Sequence, residues 1–393
     1  MTKELKYCTR STKDLLTDMK DTSELMLDLA YSAVIYDDRE IAMEVIRLEE
    51  KMDTLEYYMR ISTMLSARRL DEAEALAGVL QAGAAAENIS NSAGDIAKIA
   101  LLGLGIPLEL KMELREAEET LTRATVSAES PMAGRTLGVI ELETETGMWV
   151  IAIRRDRSWI YDPDHNTRIR EGDVVFARGH DEGVPLFIEY ATCEKYQRPT
   201  FELTRVLADL DRAVDLIVEM KNMSELAIGL AYSAVLFYNK DIAEEVSYIE
   251  DLMDGMKYEL QHWVLKSAKH IDEVDQLRGL LHLANASEAI SDAAYDLADV
   301  VLRDIELHPI MALAVRESDE VVTKREILSG STVAEKSLGD MKLGTETGMH
   351  IMAVKRKDKW IYSPSAKTVL YAGDMLIARG TTSGEELLTQ MCS

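Results

Sequence analysis

The chain repeats itself. Leu29-Ala30-Tyr31-Ser32-Ala33-Val34 returns 201 residues later as Leu230-Ala231-Tyr232-Ser233-Ala234-Val235. At the same offset Thr144-Glu145-Thr146-Gly147-Met148 returns as Thr345-Glu346-Thr347-Gly348-Met349. So do Trp159-Ile160-Tyr161 as Trp360-Ile361-Tyr362, and Gly172-Asp173 as Gly373-Asp374. No insertion breaks the register between these anchors. The fold must therefore be one that a unit of about 200 residues adopts twice. Each unit changes character midway.

The first half of each unit reads as helix. Ile41, Val45, Leu48, Met52, Leu55 and Met59 follow at steps of four and three, the seam of an amphipathic helix in a bundle. An earlier helix runs through Leu15, Leu25, Leu29 and Val34. A third spans about Glu72 to Leu102 through Val79, Ala82, Ala86, Ile89, Ala93, Ile96 and Ala100. Its alanines let neighbouring backbones come close. Gly105 and Pro107 mark its end, and His308-Pro309 does so in the second unit. Long helices with short connections predict a three-helix antiparallel bundle in each unit.

The second half of each unit reads as β. Met148–Ile153 is a short apolar run consistent with a buried strand, and Val174–Ala177 is another, entered through the turn Glu171-Gly172-Asp173. Ser130–Leu137 allows one short helical turn, and the charged stretch Leu108–Glu119 reads as a linking helix. The expected class is α+β, with four segments in alternation. These are a bundle at 1–106, a linker helix and β module at 107–195, a bundle at 196–307, and a linker helix and β module at 308–393. Each β part is small for a lone core, so pairing of the two would bury more surface.

Several classes fall away. Acidic residues number 70 against 44 basic ones, a formal charge of −26. Phosphate-backbone binding needs clustered Lys and Arg, so no nucleic-acid partner is expected. No run of ~18 apolar residues suggests a membrane span, and Met-Thr-Lys-Glu-Leu-Lys does not read as a signal peptide. Cys8, Cys193 and Cys392 lack metal spacing and read as free thiols of a reducing compartment. There is no Gly-x-Ser-x-Gly elbow, no His-Glu-x-x-His, and no Gly-x-Gly-x-x-Gly after a strand. Neither a catalytic set nor an NAD or ATP site of those types is expected, and the chain reads as a non-enzyme. His262, His270 and His282 form no ligand pair. Gly344–Gly348 lacks the Lys-Ser/Thr end of a phosphate loop.

The helical pattern Ala-Tyr-Ser-Ala-Val, a short acidic turn, then Ile-Ala-x-Glu-Val-x-x-x-Glu-x-x-x-Asp-x-Leu resembles a PhoU repeat. The β half resembles the TrkA-C domain of regulators of potassium conductance. That pattern places Ser then Leu-Gly, an apolar strand ending in Arg, a Pro, and Gly-Asp before Arg-Gly. It runs from Ser130 to Gly179 and from Ser331 to Gly380. The resemblance implies a cytosolic regulator, acting on a membrane cation channel or transporter and peripheral to the membrane through it. It also implies a small ligand, such as a cyclic dinucleotide, at paired TrkA-C modules. Two copies in one chain remove the need for a homo-oligomer without forbidding one.

Two sets of residues are candidate sites. Glu49 and Asp53 lie one turn apart on a helix, as do Glu87, Asn91 and Asp95 on the next. Their counterparts are Glu250, Asp254, Glu288, Asp292 and Asp296. Carboxylates converging from adjacent helices supply what a hard divalent or transition metal needs, and the pattern is similar to the PhoU metal motif. The other reading is a solvated acidic face. Asn91 offers a neutral ligand, so the first site is expected to be the weaker. In the β modules the candidates for an anionic ligand are Arg154, Arg155, Pro163 and Asn166, then Lys355, Arg356, Pro364 and Lys367. The other reading makes Arg155 and Arg356 strand-edge ion pairs. Trp159, Tyr161, Trp360 and Tyr362 read as fillers of a small core. Three roles stay open: regulator of potassium or other cation transport, metal-binding regulator of phosphate transport, or ligand-free scaffold.

Overall fold

The computed structural model describes residues 10–66, 70–115, 119–196, 208–268, 274–304 and 320–393, apart from 141, 143–145, 157, 162, 342, 344–346, 348, 358, 363 and 365–366. Cys8, His270, the His308-Pro309 stop, the second linker helix and most of Gly344–Gly348 lie outside these residues. The chain divides into two compact units, Met1–Ile106 with Arg212–Ser393, and Pro107–Asp211.

The first bundle is α1 (Thr12–Tyr36), α2 (Arg39–Ser66) and α3 (Leu70–Leu102). Ser11 caps α1, its hydroxyl accepting from the Asp14 N–H at 3.1 Å. Asp37 ends the helix in the left-handed region at φ 50°. The next residue, Asp38, accepts from the N–H groups of Glu40 and Ile41 at 2.8 and 3.1 Å and so starts α2. The short acidic turn is thus a stop followed at once by a cap. The α2 seam from Ile41 to Met59 is buried at each expected position, as are Val79, Ala82, Ala86, Ile89, Ala93 and Ile96 of α3.

In the Pro107–Asp211 unit a short helix, α4 (Leu108–Arg115), leads to β1 (Glu119–Thr125). The linking helix therefore ends sooner than the charge pattern suggests, and Glu119 opens a strand. Then follow α5 (Leu137–Ile140), β2 (Met148–Arg155), β3 (Ser158–Tyr161), β4 (Val174–His180) and α6 (Val184–Thr192). The helical turn expected over Ser130–Leu137 begins only at Leu137. The sheet order is β1-β4-β2-β3, antiparallel throughout, with a bulge in β2 between Val150 and Ala152. Met132, Met148, Ile153, Ile169, Val175 and Phe187 fill its core.

The second bundle is α7 (Ala208–Phe237), α8 (Lys240–Ser267) and α9 (Val274–Leu302). It is followed by β5 (Glu320–Glu326), α10 (Leu338–Met341), β6 (His350–Arg356), β7 (Lys359–Tyr362), β8 (Met375–Thr381) and α11 (Thr382–Cys392). The sheet repeats the order as β5-β8-β6-β7, with the bulge now between Ile351 and Ala353. Cys193 and Cys392 are free thiols, the first exposed and the second buried.

The two bundles pack on each other within their unit. α3 meets α9, where the Gln81 side chain donates to the Asp296 carbonyl at 2.8 Å. The buried Tyr232 hydroxyl lies 3.1 Å from Ser23 Oγ, and the buried Tyr31 hydroxyl 3.1 Å from Ser287 Oγ. Each repeat thus satisfies a phenol of the other. Burial pushes both phenols well above their ordinary range. The backbones come close enough that a Cβ on Gly279 of α9 would lie 2.0 Å from the Gly105 carbonyl oxygen. On exposed Gly255 of α8 a Cβ would meet nothing within 4 Å. Gly279→Ala is therefore expected to lower the thermal midpoint, at about 1–3 kcal/mol of overpacking. Gly255→Ala is expected to raise it, at about 1 kcal/mol of helix propensity. Differential scanning calorimetry of the two variants checks both signs.

Candidate functional site

The acidic residues of the second bundle converge. Glu250 and Asp254 on α8 and Asp292 on α9 each place a carboxylate oxygen within 4.8 Å of the other two. The set is half-buried to exposed. Glu288 stands one turn before Asp292 but is engaged by Lys257 at 2.6 Å. Asp296 is exposed one turn further on. Burial holds the carboxyls of Glu250 and Asp292 above their ordinary range. Neighbouring carboxylates add to this: Asp254 for Glu250, and Glu288 then Asp254 for Asp292. Three hard oxygen donors, with neither His nor thiolate among them, fit Mg²⁺ or Mn²⁺ better than a soft metal.

The first bundle carries the same positions with different chemistry. Asn91 replaces the Asp292 carboxylate, and its amide donates to Glu87 Oε1 at 3.0 Å. Glu56 stands where the second copy has Lys257 and pairs with Arg60. Lys98 stands where the second copy has Asp299 and donates to Asp95 at 2.7 Å. Glu49 lies over Gly94, where a Cβ would sit 2.6 Å from its Oε2. Burial, then the charges of Asp53, Asp95 and Glu87, hold Glu49 high against the opposing pull of Lys98. Asp53 is raised by burial, Glu87 and Glu50.

In the β modules Arg155 and Arg356 are turned inward. Arg155 donates through Nε and one terminal nitrogen to buried Asp173 at 2.8 and 2.7 Å, and to the Arg168 carbonyl at 2.7 Å. Arg356 repeats this with Asp374 at 2.9 and 2.7 Å and with the Val369 carbonyl at 2.6 Å. The same aspartates accept from the backbone N–H of Arg170 and Tyr371. Each Gly-Asp pair therefore closes a turn and anchors a guanidinium through its Nε and one terminal nitrogen. Asn166 belongs to an exposed Asx turn: its backbone N–H donates to Asp164 at 3.1 Å. Pro163 follows β3 and Pro364 follows β7, both partly exposed.

Lys355 is placed differently. Its Nζ donates to Glu245 of α8 at 2.5 Å, and Lys324 of β5 reaches the other oxygen of the same carboxylate at 2.7 Å. The Lys355 ammonium also lies 3.6 Å from the Tyr248 ring centroid and 5.2 Å from that of Trp360. Glu245 is only 4% exposed. One buried carboxylate thus clamps two strands of the second β module to the second bundle. Sequence reading marks Lys355 but misses Glu245, Tyr248 and Lys324. A signal existed: Glu245 sits inside the apolar stripe Ile242, Ala243, Val246 and Ile249, where a glutamate needs a cationic partner. The positions 201 residues earlier hold Glu44, Arg123 and Arg154.

Fold and residues together define a duplicated chain of helical bundles and small antiparallel sheets. The PhoU domain model matches residues 16–100 and 217–301, and the TrkA-C domain model matches 121–192 and 322–392. The chain thus carries two PhoU domains and two TrkA-C domains in alternation. Both are regulatory domains rather than enzymes. PhoU of Pseudomonas aeruginosa is similar at 13% identity, over 74% of this chain and 93% of that one, with a TM-score of 0.42. The phosphate transport system regulatory protein PhoU of Streptococcus pneumoniae follows at 8%, over 74% and 91%, with a TM-score of 0.43. The GsuK RCK domain is 14% identical over 82% and 78%, with a TM-score of 0.19. No curated protein matches.

Two outcomes follow. Raised carboxyls bind protons more tightly in the folded chain than in the unfolded one. Their contribution is therefore greatest below about pH 4 and is lost as pH rises through the raised values. Thermal stabilisation by Mn²⁺ or Mg²⁺ should be near nil at about pH 4 and grow toward pH 7. Asp292→Asn should remove most of that growth. Separately, breaking a buried pair from one side costs roughly 3–5 kcal/mol, and less here because the lysines are partly solvated. Glu245→Gln should accelerate backbone hydrogen exchange in β5 and β6 while leaving α1–α3 unchanged.

Proposed function

We propose that this protein is a cytosolic regulator of cation transport, with potassium as the cation, acting on a membrane channel or transporter. The observation that carries this reading is the pair of TrkA-C domains, each joined in sequence to a PhoU bundle. No helix among the described residues is long and apolar enough to cross a membrane, which fits action through a separate membrane partner. In this reading a TrkA-C module takes a small anionic ligand. Binding biases the set of the bundles, and the Glu245 clamp gives the second module a mechanical path to its bundle. Coupling of this kind requires the ligand to favour one arrangement over the other.

A second reading is supported by a specific observation. The Glu250, Asp254 and Asp292 set suits a divalent cation and so favours a metal-binding regulator of phosphate transport. Thermal unfolding of the metal-stripped chain separates the two. A ligand at ~100 times its Kd that binds only the folded state adds ~2.7 kcal/mol. Cyclic di-AMP, K⁺, phosphate, Mg²⁺ and Mn²⁺ are added singly. A rise with the nucleotide or K⁺ is expected. A rise with a divalent cation alone transfers the assignment to the second reading. No rise with any leaves a scaffold.

A further inference from the structure

The helix that closes each β module is held by different chemistry in the two copies. In the first, Ala124 of β1 and Val184 of α6 belong to the apolar core, and Ile188 of α6 packs on it. At the offset of 201 residues these positions hold Arg325 of β5 and Glu385 and Thr389 of α11. The replacements fit one another. Arg325 donates through Nε to Thr389 Oγ1 at 2.9 Å and through a terminal nitrogen to Glu385 Oε1 at 2.5 Å. Thr323 of β5 donates to the same Glu385 oxygen at 2.7 Å. The fully buried apolar anchors left on α11 are Leu388 and Cys392, where α6 has Val184, Phe187 and Ala191. Arg325 and Glu385 are both partly exposed, so water and ions reach the pair. Apolar docking does not weaken as salt rises, whereas a partly solvated ion pair is screened.

We propose that α11 is a releasable strap, latched to β5 by Arg325, Glu385 and Thr389 and loosened by rising ionic strength, while α6 is a fixed part of its own module. The strap goes beyond the transport reading and rests on it only for its purpose. Ionic strength follows the total of dissolved ions, and a helix that loosens with it gives a regulator of cation transport an input that needs no bound ligand. Three positions have changed together, from an apolar set to a mutually hydrogen-bonded one, so the latch is a unit and not a stray surface pair. Release uncovers Leu388 and Cys392, which are 0% and 2% exposed when the strap is docked. The buried thiol therefore reports the opening, and exposed Cys193, just past the end of α6, is the reference.

The test is thiol labelling of the full chain carrying Cys8→Ser, with an uncharged disulfide reagent and the labelled residue identified by mass spectrometry. Cys193 should label fast at any salt. Cys392 should label slowly, and its rate should rise roughly two- to fivefold between about 0.05 M and about 0.5 M KCl, and equally in NaCl. Glu385→Gln should raise the low-salt rate and remove the salt dependence. Arg325→Ala with Glu385→Val and Thr389→Ile installs the residues of the first copy, and should slow labelling below the parent rate at both salts. If that triple variant does not fold, Glu385→Gln alone decides. Hydrogen exchange of the parent at high salt should be faster in α11 than in β8 or α6, which separates release from global unfolding. A Cys392 rate that ignores salt overturns the proposal, as does a salt dependence that survives Glu385→Gln. Exchange of α11 only in step with β8 overturns it too, and a rise with KCl but not NaCl replaces screening by a bound ion. The transport reading is scored separately: if the strap releases as described but the chain leaves cation transport unaffected, the strap stands and that reading falls.

Discussion

The close approach of α3 and α9 is the constraint on which the larger unit depends. A three-helix repeat has one apolar seam too many for itself, and here the two repeats cover each other. Small side chains make this feasible: Ala82, Ala86 and Ala93 on α3, and Ala284, Ala294 and Ala298 on α9, are all buried. Gly279 stands where any larger residue would strike the Gly105 carbonyl. Two phenols buried between the repeats, Tyr31 of α1 and Tyr232 of α7, would be costly if unpaired, and each finds a serine on the opposite repeat. Apolar burial supplies the drive, and these hydrogen bonds select a register.

That packing also directs the acidic helices. With the seams turned to the interior, α2 and α8 present their carboxylates outward beside those of α3 and α9. The two copies then diverge in charge at matching positions. Glu56 becomes Lys257, Asn91 becomes Asp292, and Lys98 becomes Asp299. The first copy relieves its repulsion with Lys98 and an amide, whereas the second leaves three carboxylates facing one another near Lys257. A symmetric scaffold therefore carries two chemically unequal faces.

The β modules show a different economy. Each is a four-stranded sheet with one helix across it, and each uses the same Gly-Asp turn to lock an arginine. The lock explains why Arg and Asp recur together 18 residues apart in both copies. Lys355, the residue before the locked one, is drawn to Glu245 instead, and links sheet to bundle.

The sequence by itself determined the duplication, the alternation of bundle and sheet, and the helix seams. These follow from local periodicity and from identities at one fixed offset, which need no knowledge of what packs on what. It left the edge strand Glu119–Thr125 unread, because an edge strand rich in Thr and charge lacks the apolar run that marks a central one. The helices after β4 and β8 also went unread, being short amphipathic segments after a strand. Only the tertiary structure decided which of several acidic residues converge, that Arg155 and Arg356 face inward, and that Glu245 bridges Lys324 and Lys355. Each of these depends on distances between elements far apart in sequence. Spacing along one helix sets a common face, but only packing against a second element sets what that face meets.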